Sequence, residues 1–180
     1  MTVIDERWLL ILVHMPSQPS RHRVAVWREL RRIGAVPLSP GTWVLPAHPV
    51  FNDGLGRAEG LVAKGGGSWT LVDASPRDQG AKAFRNAFQA ARLEEWAEFT
   101  SDCGKFEREI AKEISQRKFT FAELEEEEQS LERLRRWYRD LKSRDVLLLP
   151  QAVDAAEQLA CCAEALEEYA SMVYDATLPQ

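Results

Sequence analysis

Five arginines, Arg21, Arg23, Arg28, Arg31 and Arg32, crowd one short segment of this 180-residue chain, and Glu29 is the single acid among residues 14–33. Guanidinium groups at that density offer forks of N–H donors that match phosphate or carboxylate oxygens two at a time. At about 100° per residue, Val26, Leu30 and Ile33 share one helix face with the Trp27 ring at its margin, while Arg21, Arg28, Arg31 and Arg32 project from the opposite side. A helix that buries the first set on a sheet and turns the second outward is a surface for anions, with nucleic acid the leading candidate. The plainer role for the same residues is a solvated face whose arginine stems cover apolar neighbours.

The elements that must hold this helix can be read on either side of it. Trp8–Val13 is an apolar run of strand length, and Ser20 is placed to cap the helix that follows the Pro-Ser-Gln-Pro-Ser loop. Gly34 ends the helix. Val36–Leu38 and Thr42–Leu45 flank Ser39-Pro40-Gly41 as a hairpin, with Pro37 marking an edge strand or a strand start. Phe51, Leu55, Ala58 and Val62 keep helical spacing through three glycines, Gly65–Gly67 ends that helix, and Ser68–Val72 reads as a fourth strand. The order β-α-β-β-α-β predicts a ferredoxin-like domain over residues 1–75, with two helices on one face of an antiparallel sheet.

Residues 76–180 read differently. Ser75-Pro76 has the form of a helix start, and Phe84, Phe88, Ala91, Phe99, Cys103, Phe106, Ile110 and Ile114 stay in phase through Gly104, predicting one long helix. Thr120-Phe-Ala-Glu123 is a capping box, and Leu124, Leu131, Leu134, Tyr138 and Leu141 continue at coiled-coil spacing. Leu159, Cys162, Leu166, Tyr169 and Val173 mark a last helix after Pro150. The expectation is an α+β protein whose sheet domain is followed by a partly coiled-coil-like arm, a helical hairpin plus a C-terminal helix. An apolar seam on an otherwise charged helix must be covered, by the neighbouring helices or by a second copy in a homodimer.

Charge is laid out in blocks. The whole chain carries −5, yet residues 1–75 hold eight Lys/Arg against six Asp/Glu, and residues 76–180 hold fifteen against twenty-two. Within the acidic half, Arg133–Arg144 contains six basic residues and one acid, so Arg135, Arg136 and Arg139 form a second candidate patch. A uniformly basic nucleic-acid coat is excluded, and a localised one is not. No apolar run reaches the ~20 residues of a membrane span, and the start lacks the pattern of a signal peptide, which predicts a cytoplasmic protein.

Enzyme chemistry finds no foothold in the motifs. The triple glycine precedes a strand, without the Gly-Lys-Ser/Thr of a phosphate loop, and reads as a turn. His14, His22 and His48 do not fall at zinc-site spacing from any cysteine, so neither a metal nor a cofactor is expected. Cys103, Cys161 and Cys162 are too few, and odd in number, for a disulfide framework; as neighbours on a helix, Cys161 and Cys162 point about 100° apart. The carboxylates lie on polar helix faces, where solvation and pairing are their ordinary roles.

The run Pro16-Ser-Gln-Pro-Ser-Arg-His-Arg-Val-Ala-Val-Trp-Arg-Glu-Leu-Arg-Arg-Ile-Gly-Ala-Val36, followed by Gly41-Thr-Trp-Val-Leu-Pro46, resembles the amino-terminal domain of the bacterial chromate-resistance regulator ChrB. Phe119-Thr-Phe-Ala-Glu-Leu-Glu-Glu126, Leu134-Arg-Arg-Trp-Tyr138 and Arg144-Asp145 resemble the helical part of the same domain. The resemblance spans nearly the whole chain. It implies a DNA-binding repressor of a chromate-efflux operon, with double-stranded promoter DNA as partner and an oxyanion such as chromate as effector. Full-length regulators carry a further carboxy-terminal domain, which this chain, ending at Gln180, is expected to lack; chromate sensing is the function on which that departure bears.

More distantly, the sheet domain resembles the ferredoxin-like domains of phenylacetate-catabolism repressors and of small CRISPR-associated nucleases. The nucleases place a metal-binding Asp just after the first strand, where this chain has His14-Met15, which removes the ligand for a hard Mg²⁺ ion. The sequence therefore predicts a transcriptional regulator that is not an enzyme, with Arg21, Arg28, Arg31, Arg32, Arg135, Arg136 and Arg139 on DNA. The rival reading is an interaction module that docks an acidic protein partner through the same arginine-rich helix.

Overall fold

In the computed structural model, which describes residues 7–77 and 79–177, the chain divides into two compact units. The first comprises Met1–Arg92 with Arg144–Leu147, the second Leu93–Ser143 with Leu148–Gln180. The first unit contains β1 (Trp8–His14), α1 (Ser20–Arg32), β2 (Val36–Ser39), β3 (Thr42–Pro46), α2 (Asn52–Lys64) and β4 (Ser68–Ala74), in that order. A single 3-10 turn, Pro49–Phe51, leads into α2. The strands lie in the order β2-β3-β1-β4 and each neighbouring pair is antiparallel. β2 is an edge strand, where the missing N–H of Pro37 costs no ladder bond, and its register against β3 shifts between Pro37 and Ser39.

Alternation along β1 sends Leu9, Ile11 and Val13 to one face of the sheet and Trp8, Leu10 and Leu12 to the other. Ile11 stands opposite Trp43, and both are buried in one core with Val26 and Leu30 of α1 and Leu55, Ala58 and Val62 of α2. Each fully buried aliphatic side chain of this kind contributes roughly 1.5–3 kcal/mol. On the other face Trp8 meets Phe84 and Phe88 edge-on, with ring centroids 5.9 and 6.1 Å away. Those two residues lie in the first three turns of α3 (Gln79–Ser115).

Two helix starts differ from the sequence expectation. Pro19, not Ser20, occupies the N-cap of α1, in extended conformation and without a side-chain capping bond, so Ser20 is already helical and its hydroxyl caps nothing. α3 begins at Gln79 rather than at Pro76, because β4 pairs with β1 as far as Ala74 opposite Trp8 and holds the backbone extended. At the other end of α1, Ala35 N–H bonds to the Leu30 carbonyl and Gly34 takes φ +88°, the left-handed stop that a glycine permits.

The second unit contains the rest of α3, with α4 (Phe121–Arg144) and α5 (Gln151–Thr177). α3 runs without a break through Gly104. The Glu123 N–H donates to Thr120 Oγ1 at 3.3 Å, forming one arm of the expected capping box. Leu124, Leu131, Leu134 and Leu141 are buried, and Tyr138 is half-buried with its hydroxyl donating to the Ala152 carbonyl at 3.3 Å. Phe99 packs against Trp96, Trp137 and Tyr138. On α5, Ala155, Cys162, Leu166, Tyr169 and Val173 are buried while Leu159 is only half-buried. The seam is thus covered within one chain and does not itself call for a partner. Among the described residues, no helix is long and apolar enough to cross a membrane.

Candidate nucleic-acid interface

The amphipathic split of α1 carries directly into the structure. Val26, Leu30 and Ile33 are buried against the sheet and α2, and Arg21, Arg23, Arg28, Arg31 and Arg32 are all exposed. Arg31 and Arg32 also sit in the last turn, where positive charge complements the helix dipole. The lone acid is enclosed by its neighbours: Arg32 grips Glu29 through Nε at 2.9 Å and Nη2 at 2.6 Å, and Arg57 of α2 adds its Nε at 2.9 Å. Burial acts to raise the Glu29 carboxyl, but these two guanidinium groups outweigh it and hold it below the ordinary carboxylate range. One carboxylate is therefore shared by Arg32 and Arg57, and the three side chains together keep one positive charge. Arg28 and Arg31 make no hydrogen bond or ion pair among the described residues, and Arg21 reaches only His22 at 3.5 Å.

The C-terminal end of α1 rests on two further arginines. Arg92, buried under the sheet unit, donates from Nη1 to the Gly34 carbonyl at 2.9 Å with its guanidinium 4.7 Å from the centre of the Phe88 ring. Arg144 Nη1 donates to the Arg32 carbonyl at 3.2 Å. Both satisfy helix-end carbonyls that would otherwise lack a partner.

Arg135, Arg136 and Arg139 of α4 belong to the other unit and are exposed. Two of them converge on one carboxylate, Glu132, at 4.0 Å from Arg135 and 3.2 Å from Arg139. Arg136 has no ion pair among the described residues. The aromatic residues beside this patch, Trp137 and Tyr138, pack inward on Phe99.

Two concave regions differ in chemistry. The larger, about 830 Å³, lies in the helical unit, where carboxylates, Glu113, Glu123 and Glu127 among them, outnumber the basic residues Lys105, Lys118 and Arg133. Lys118 holds Glu113 at 3.1 Å and Glu123 at 3.6 Å. Glu127 is buried, and burial first, then the surrounding carboxylates, push its carboxyl above the ordinary range. Such a surface repels a polyanion. The smaller, about 370 Å³, lies beside the basic helix and is lined by Arg23 and Trp27 together with His14, Met15 and Trp43. From sequence alone Arg23 is one of the clustered arginines and Trp27 lies at the margin of the apolar face, and neither is assigned to a site; the signal was present in the i, i+4, i+8 spacing of Arg23, Trp27 and Arg31.

The histidines and cysteines are scattered. His48 Nδ1 accepts from the Val50 N–H at 3.2 Å and starts the 3-10 turn. Buried Cys162 donates to the Cys103 carbonyl at 3.5 Å, and this neighbour first, burial second, push its thiol up, while Cys161 is exposed. Among the described residues, no group of three or more His, Cys, Asp and Glu side chains is arranged to hold a metal ion.

The sequence pattern of the family described as "Protein ChrB, N-terminal" matches residues 23–180. The chain belongs to the ChrB N-terminal family. The matched region takes in α1 from Arg23 onward, β2 to β4 with α2, and the helices α3 to α5, while β1 and Arg21 precede it. Protein ChrB of Cupriavidus metallidurans is 30% identical over 96 residues, which is 53% of this chain and 29% of that protein. The chain therefore aligns with less than a third of the length of that ChrB.

Proposed function

We propose that this ChrB-family chain is a DNA-binding transcriptional regulator, repressor-like and related to chromate resistance, and that it is not an enzyme. The observation that carries the reading is α1: Arg28 and Arg31 stand exposed without a counter-ion among the described residues, on a helix whose opposite face is locked into the sheet core. Arg21 and Arg32 extend the same face, although Arg32 shares its charge with Glu29. Arg135, Arg136 and Arg139 form a secondary patch whose charge is partly met by Glu132. Phosphate contacts from such a surface hold a duplex without reading its sequence.

The order of strands, 4-1-3-2 in chain numbering, supports the ferredoxin-like reading of the sheet unit, and the Leu124 to Leu141 seam supports a coiled-coil-like arrangement of α4. The partners in this reading are promoter or operator DNA and a second copy of the chain, since a two-fold operator is matched by a two-fold dimer. The protein acts in the cytoplasm. An oxyanion effector such as chromate belongs to the same regulatory scheme.

A titration with promoter duplex at several salt concentrations tests this. Binding should weaken steeply with salt and tolerate changes of sequence at low salt, as counterion release requires. Salt-independent binding, or no duplex binding at low salt, overturns the reading. A fixed-stoichiometry complex with an acidic protein, formed without DNA, would support the interaction-module alternative in its place. Light scattering with and without DNA measures the dimer separately.

A further inference from the structure

Trp27 is 54% exposed, in the middle of a helix that buries Val26 and Leu30. The other exposed aromatic rings, Phe121 and Tyr174, pack against each other at 5.3 Å. Trp27 has neither a ring nor a cation stacked on it among the described residues. Arg23 lies one turn before it and Arg31 one turn after, so the three share a face, and neither guanidinium covers the indole.

The groove beside the indole has a built floor. Val13 and Met15 at the end of β1, Leu30 of α1 and Trp43 of β3 give it apolar walls, and Arg23 and His14 are its polar groups. The hairpin turn is clamped to β1 by the Val13 N–H donating to the Gly41 carbonyl at 2.7 Å. A Cβ at Gly41 would lie 2.5 Å from the Val13 carbonyl oxygen, and φ there is +76°, so the turn reaches this position only as glycine. At about 370 Å³ the groove falls within the ~300–1,000 Å³ typical of small-ligand sites.

A flat aromatic surface, an apolar slot and one guanidinium at its mouth suit a planar ring that carries an anion. Arg28 and Arg31, without ion pairs among the described residues, extend the positive charge along the helix from that mouth. We propose that this groove receives one unstacked nucleotide of a bound nucleic acid, its base on the Trp27 indole and its phosphate at Arg23. The proposal rests on the DNA-binding reading of α1 and adds to it a preference for a base displaced from the stack. Stacking on an aromatic side chain tolerates any base, so the site selects an unpaired nucleotide rather than a sequence.

The test compares a short, fully paired duplex with the same duplex carrying one bulged thymidine, by fluorescence anisotropy. Wild type should bind the bulged duplex about tenfold more tightly, W27A should lose that preference while keeping paired-duplex affinity within about twofold, and W27F should retain part of it. R23Q should weaken the preference without abolishing paired-duplex binding. Equal affinity of wild type for both duplexes, or a preference that survives W27A, overturns the proposal. If neither duplex binds at low salt, the DNA reading fails on its own. Titration with thymidine 5′-monophosphate, followed by indole N–H resonances, then decides about the groove: shifts of Trp27 and Trp43 support it as a nucleotide site, and no shift overturns it. Shifts with an acidic phenylalanine peptide but not with the nucleotide also overturn it, in favour of a protein partner.

Discussion

The chain has two arginine-rich helices, and they use their charge in opposite ways. On α4, Arg135 and Arg139 share Glu132, and Trp137 and Tyr138 turn into the aromatic cluster around Phe99. On α1, Arg28 and Arg31 have no ion pair among the described residues, and Trp27 stays in the open. Counting arginines makes the two helices look alike. What separates them is how much of each patch the fold already uses: on α4 Arg136 has no ion pair among the described residues but the neighbouring aromatic rings are packed away, and only α1 leaves unpaired guanidinium groups and an indole available together.

The largest expected effect sharpens the aromatic half of this contrast. Phe99→Ala should cost about 3–5 kcal/mol, the usual loss for a buried aromatic ring, whereas Trp27→Ala should lie within about 0.5 kcal/mol of wild type. Urea unfolding of the two variants checks this. A Trp27→Ala loss as large as that of Phe99→Ala would mean that the α1 indole is structural, and the contrast would break.

Carboxylates sharpen the charge half, with opposite signs. Glu29 is held below the ordinary range, so its contribution to stability is present above the unfolded-state pKa and is lost as pH falls through the folded one. Glu127 is pushed above it, so ionising Glu127 at neutral pH weakens the fold, and that penalty disappears in acid. Glu29→Gln should therefore lower the Tm at pH 7 and Glu127→Gln should raise it, each by roughly 2–4 °C, the size that about 1 kcal/mol produces in a chain of this length. Both differences should shrink toward pH 4. Thermal melts across that range would contradict the assignment if the two variants moved in the same direction.

The smallest effect concerns thiols. Cys161 is exposed, whereas Cys103 and Cys162 are buried together. Maleimide should label one site in the native protein and three after unfolding; rapid native labelling of Cys162 would show that the α3–α5 packing is looser than described.

The amphipathic face of α1, the hairpin with Pro37 on an edge strand and the unbroken α3 were legible because each depends on local periodicity or on the backbone limits of proline and glycine. The pairing of Glu29 with Arg57 was not, since it joins residues 28 apart that meet only when α1 and α2 pack. Nor was the burial of Arg92: within α3 it looks like one more polar-face arginine, and only the sheet unit places the Gly34 carbonyl against it. Gly54, which weakens α2 on propensity, has a packing reason invisible in the sequence, because a Cβ there would collide with the Ile33 side chain. The availability of Arg28 and Arg31 belongs to the same class, because a composition cannot say which charges will find partners.

The most direct test of the central claim sets the two helices against each other. Anisotropy titration of promoter duplex with Arg28→Glu/Arg31→Glu and with Arg135→Glu/Arg136→Glu, both confirmed as folded by circular dichroism, measures what each patch contributes. The α1 pair should lose about a hundredfold or more and the α4 pair less than about tenfold, because the loss follows the number of phosphate contacts removed. Equal losses, or a larger loss from α4, would contradict the claim.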